Sequence, residues 1–147
     1  MKILQKISLS LVLISATFNG FSQCKSFSKN TCMPQMQPYV SNENYNSTTL
    51  VAGDDAELNI TFYEGQEYRL LVCAHPILEN VEFQVSDASK KQLFSSTENN
   101  NTNVFDFKME STQQLTVRIS VPLQENPNAL VHEGCVTIIT GHKELSK

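Results

Sequence analysis

The chain has no tryptophan, five glycines and five prolines in 147 residues, and only 18% of it is charged. It carries no glycine-rich phosphate loop and no Gly-x-Ser-x-Gly nucleophile elbow. It has no run of basic residues, and its net charge is −4. That balance speaks against nucleic acid or an anionic membrane surface as partner. No apolar stretch reaches the ~20 residues of a membrane-spanning helix. Beyond the first 22 residues no segment shows a helical stripe. What remains is 40% hydrophobic and contains four cysteines, a number usual for a small exported protein.

The N-terminus explains the export. Lys2 and Lys6 precede an apolar stretch from Ile7 to Phe18, and Gly20 and Ser22 place small side chains before Gln23. This is the three-part pattern of a secretory signal covering residues 1–22, cleaved before Gln23. Removing 22 of the 147 residues leaves 125, with 9 basic residues against 15 acidic ones, or −6. A chain of that length buries about two-thirds of its unfolded surface, enough for one core. Lipid attachment at Cys24 is the alternative processing, but Gln23 stands where a small residue is needed. Periplasmic or fully secreted protein is the expected location, with no transmembrane segment after cleavage.

Residues 23–55 carry two cysteines, two prolines and scattered Asn and Ser, and read as an arm with loops and one short strand around Thr48 to Ala52. From residue 56 the pattern becomes strict alternation. Leu58, Ile60 and Phe62 share a face, as do Tyr68, Leu70 and Val72, then Val81, Phe83 and Val85. Leu93 and Phe94 mark a short strand; Phe105, Phe107 and Met109 another. Leu115, Val117, Ile119 and Val121 form the cleanest strand, stopped by Pro122, and Cys135 to Thr140 gives the last. Seven or eight strands with turns between them predict an all-β, antiparallel, jelly-roll-like β-sandwich over residues 56–147.

Four cysteines allow three pairings. Cys24–Cys32 within the arm and Cys73–Cys135 between strands is the simplest, because Cys73 and Cys135 both alternate onto faces away from the core. The same residues suggest a rival chemistry. Cys73, His75, His132 and Cys135 are two thiols and two imidazoles, the ligand set of structural zinc or of a small zinc or thiol enzyme. Their spacing lacks a Cys-x-x-Cys pair, and an oxidising compartment favours disulfides, so no metal, cofactor or catalytic residue is assigned. Asp54, Asp55 and Glu57 lack the glycine and alternating acids of a calcium loop. Asn-x-Ser/Thr triplets at Asn46, Asn59 and Asn100 are as frequent as chance allows in a chain this rich in those residues. Tyr63, on a polar face, reads as a cross-strand packing residue.

The order Phe62-Tyr63-Glu64-Gly65-Gln66-Glu67-Tyr68, then Phe83-Gln84-Val85-Ser86-Asp87, Leu93-Phe94 and Gly134-Cys135-Val136, resembles the jelly-roll accessory domains at the C-termini of secreted bacterial peptidases. It also resembles the Golgi-dynamics type of sandwich. It is similar, more closely, to small exported envelope proteins with four such cysteines and a Ser-Thr-Gln-Gln-Leu stretch, here Ser111 to Leu115. The resemblance implies a non-catalytic sandwich that binds or assists an envelope protein, a peptide or a glycan. Recognition is expected on polar, aromatic-bearing loops, with Tyr39, Tyr45, Asn99 and Asn101 as candidate contacts. A self-associating envelope component, joined through edge strands, is the other non-enzymatic alternative.

Overall fold

The computed structural model describes residues 20–41, 45–126 and 130–143, with only the backbone of 20–23. The expected signal segment 1–22 therefore lies outside the described residues except for its last three. Eight strands follow a short helical arm: β1 (Tyr45–Val51), β2 (Asp55–Phe62), β3 (Glu67–Ala74), β4 (Glu82–Ser86), β5 (Gln92–Ser95), β6 (Val104–Lys108), β7 (Gln113–Ser120) and β8 (Glu133–His142). They form two antiparallel sheets, ordered β1-β8-β3-β6 and β2-β7-β4-β5. The all-β antiparallel sandwich predicted from the alternation is what the chain forms.

The core follows from that alternation. Leu70, Val72, Val136 and Ile138 of the first sheet meet Phe62, Phe83, Val85, Leu115, Val117 and Ile119 of the second. Phe62 stands edge-on to Tyr68 and Phe107, with ring centroids 4.9 and 5.0 Å away, the arrangement that sets positive ring edges against negative faces. Between β1 and β2 the chain reverses at Gly53, whose φ of +92° a side chain would strain.

The two central strands of the first sheet, β3 and β8, are buried on both faces. Outward from them point Leu71, Cys73, Thr137 and Ile139, all buried. The arm covers them: helix α1 (Gly20–Phe27) runs on through a π turn at Ser28–Cys32 into a 3-10 turn at Met33–Met36. Helical periodicity was not expected here. Its signal is Cys24, Ser28, Cys32 and Met36, one residue in four, all buried on the sheet. Two cysteines and a serine disguise the stripe. Gly141 permits the close fit, since a Cβ there would meet Met36 Cε at 2.7 Å and the Val40 carbonyl oxygen at 2.9 Å.

The expected cysteine pairing is corrected. Cys24 bonds Cys135 and Cys32 bonds Cys73, so the arm has no local disulfide and the two strand cysteines are not joined to each other. Register gives the reason. Cys73 lies opposite Thr137, leaving Cys135 two residues further along β8. Diagonal neighbours of that kind are ~7–8 Å apart, beyond disulfide reach. The outward orientation of both cysteines was correctly read, but it points them at the arm.

Candidate functional site

One long side of the sandwich is open, where edge strand β1 faces edge strand β2. The direction of the β1 main chain there follows from four bonds. The His75 N–H donates to the Cys135 carbonyl, so Cys135 turns its main-chain groups toward β3. Alternate residues Gly134, Val136 and Ile138 then face Leu50, Thr48 and Asn46 of β1. The Val51 N–H donates to Asp54 instead of β8, and Val40 exchanges both its bonds with His142, as the same parity requires. Tyr45, Ser47 and Thr49 therefore direct their N–H and C=O groups outward, where no described residue receives them.

Edge strands are normally blunted by charge, proline, bulges or shortness. Of the other three edges, β5 is four residues long beside a register shift in β4. The β6 edge carries Asp106 and Lys108, and β2 carries Asp55 and Glu57. The β1 sequence Tyr-Asn-Ser-Thr-Thr-Leu-Val has no charge and no proline, and its register with β8 is unbroken.

Beside this edge lies a cleft of about 260 Å³. Ala56, Leu58, Ile119, Val136 and Ile138 give it an apolar floor, and Asn46, Ser47, Thr48 and Glu57 a polar rim. Its origin is a mismatch of side-chain size. Asn46 and Thr48, on the inner face of β1, are too small and polar to cover β2, so Ala56, Leu58 and Ile60 stay half-buried. The corresponding chains of β7, Leu115, Val117 and Ile119, are almost fully buried. The volume falls below the ~300 Å³ at which small-molecule pockets begin. It suits side chains inserted from a neighbouring strand.

The structure separates the candidate contacts inferred from the sequence. Tyr45 opens β1 and packs beside the outer cluster of Cys32, Leu71 and Ile139. Tyr39 is half-buried on that cluster, with the Arg69 guanidinium 4.5 Å from its ring centroid. Arg69 also forms a bidentate pair with Asp106, at 2.8 and 2.7 Å, which raises its pKa, and donates to the Gln37 carbonyl. Asn99 and Asn101 are exposed in the turn that leads into β6, the edge strand separated from β1 by β8 and β3. Asn99 donates its amide to the Ser95 carbonyl. Tyr63 is 61% exposed and does not pack across the strand as expected.

The zinc and thiol-enzyme alternative is corrected too. Both cysteine sulfurs are spent in disulfides to the arm, so Cys73 and Cys135 offer no thiolate. His75 is exposed against Phe27, with ring centroids 5.6 Å apart, and accepts the Ile77 N–H at Nδ1. His132 is exposed in the β7–β8 connection. Among the described residues no three His, Cys, Asp or Glu are grouped to hold a metal, and no helix is long and apolar enough to cross a membrane. Asp54 accepts from Val51, and Asp55 is held by Arg118 and Ser120, which lower its pKa.

The signal that sequence reading missed is an absence. A strand without charge, and with Asn46 and Thr48 in two of its inner positions, marks an open edge, but only once its place in the sheet is known.

No family model matches the chain, and no curated protein does. The suggested kinship with peptidase-associated accessory domains finds no support there. Among solved structures the chain is similar to PliG of Aeromonas hydrophila, a periplasmic lysozyme inhibitor of g-type lysozyme. The two share 7% identity over 67% of this chain and 84% of that one, with a TM-score of 0.48.

Proposed function

We propose that this is an exported, non-catalytic binding protein of the bacterial envelope, and that it holds an extended segment of another polypeptide along β1. The single observation that carries the reading is the outward main chain of Tyr45, Ser47 and Thr49 beside an apolar-floored cleft. An added strand would bond to the first and drop alternate side chains into the second. Only a polypeptide offers both.

Two disulfides support an oxidising compartment, and with the N-terminal signal pattern they favour a periplasmic or secreted mature chain beginning at Gln23. The strand order supports classing the sandwich as a jelly roll, a scaffold of two Greek keys. Of the loop residues inferred earlier, Tyr45 belongs to the proposed contact, while Tyr39, Asn99 and Asn101 lie outside it.

The test is titration with a heptapeptide alternating threonine and valine, followed by amide NMR and hydrogen exchange. Shifts confined to residues 45–49 and 56–58, with new protection of the Tyr45, Ser47 and Thr49 amides, are expected. Ser47→Pro removes one outward N–H without touching the β8 ladder, and should abolish binding by a folded protein. Binding that survives this change, or shifts elsewhere, would sink the assignment.

A further inference from the structure

We infer that the segment added to β1 carries acidic side chains on the face toward the arm and aliphatic ones on the face toward the cleft. This rests on the binding reading above and specifies its partner.

The charge comes from the arm. Cys24 and Ser28 touch Thr49 and Ser47 of β1 through their side chains, so α1 lies over the β1 and β8 border. Phe27 points the other way, against His75 at the end of β3. A residue following each buried position lies about 100° round the helix, on the flank opposite Phe27. Lys25 and Lys29 occupy that flank, exposed and without an ion pair among the described residues. They overhang the side on which a ninth strand would lie, ~4.8 Å outward from β1.

The two faces of that strand thus meet different surroundings. On the arm side are two cations; on the inner side are Leu58, Ile119 and Ile138. The apolar floor disfavours acid on the inner face and the lysines favour it on the outer. A second copy of this chain fits poorly, since two-fold β1 pairing would bring four lysines together across the axis.

Three heptapeptides, alternating valine with aspartate, threonine or lysine, distinguish the claims when titrated at low and high salt. The aspartate peptide should bind about fivefold tighter than the threonine one at low salt, as two exposed ion pairs allow, with the lysine peptide weakest. Salt should erase the difference. Lys25→Glu with Lys29→Glu should reverse the order while leaving affinity for the threonine peptide unchanged. Equal binding of all three overturns the charge assignment and leaves the binding reading standing. Binding of none overturns the reading beneath it. Sedimentation equilibrium of the protein alone should show a monomer; a dimer with protected β1 amides would give the edge to a second copy and overturn the inference.

Discussion

The hydroxyls of Ser28 and Thr137 meet at 2.8 Å, both side chains wholly buried, where the arm rests on the middle of β8. Ser47 joins them at 3.1 Å from Thr137. Three small hydroxyls thus replace what would otherwise be an apolar contact between helix and sheet. Ser28 donates its hydrogen to the Cys24 carbonyl at 2.7 Å and so accepts from Thr137, while Ser47 stands at the exposed end of the chain of bonds.

Thr137→Val removes the shared partner and should cost about 1–2 kcal/mol in urea unfolding, the penalty of leaving buried hydroxyls short of a bond. Ser28→Ala on top of it should cost about 1 kcal/mol more, for the surviving bond to the Cys24 carbonyl, and less than Ser28→Ala costs alone, because the bond to Thr137 is already gone. A double-mutant cycle showing additive losses would contradict the linkage.

Non-reducing peptide mapping should find Cys24 joined to Cys135 and Cys32 to Cys73. Replacing the first pair by serine opens a loop spanning 111 residues and should lower stability by ~2–4 kcal/mol, the usual range for a native disulfide. The same change should raise hydrogen exchange in the arm above that of the sandwich strands.

Arg69 ties three elements: Asp106 of β6, the ring of Tyr39 and the Gln37 carbonyl. Arg69→Lys keeps the charge but not the planar fork, and should cost about 1 kcal/mol with faster exchange at residues 37–41. Unchanged exchange there would mean that the arm holds its C-terminal end without Arg69.

Asp55 links β2 to Arg118 and Ser120 of β7, and hydrogen bonds from both hold its pKa below the usual carboxylate value of 3.8. A lowered folded pKa contributes stability that is full above the unfolded value and is lost as pH falls through the folded one. Stability should therefore decline as pH drops below about 4, less steeply in Asp55→Asn. Parallel curves for the two proteins would discount the contact.

Most strands were legible because they spend alternate residues on the core. Strand β1, which gives the core only Leu50, was expected only as a short strand around Thr48 to Ala52 within the arm, and the structure sets it in the sandwich at Tyr45–Val51. The β2 run of Leu58, Ile60 and Phe62 and the β7 run of Leu115, Val117 and Ile119 admit no other periodicity. The arm was not legible. Its stripe is built from Cys24, Ser28, Cys32 and Met36, residues whose burial depends on the bonds they make rather than on their hydropathy. The disulfide pairing failed for a related reason: the local pair minimises loop length, whereas register and the covering helix decide which sulfurs meet. The candidate site escaped sequence reading because an edge is a property of sheet order. Nothing in Asn46 to Thr49 says that no ninth strand follows.

The placement of the two disulfides has a consequence for synthesis. A chain threaded across a membrane N-terminus first presents Cys24 and Cys32 long before Cys135, which lies 103 residues beyond Cys32. The bond that is easiest to make early, between two thiols eight residues apart, is absent from the finished molecule. On the proposed export route, maturation calls either for keeping Cys24 reduced until β8 has emerged or for a thiol exchange catalyst that undoes the premature link. The eighth of the described strands is the one that locks the first helix in place.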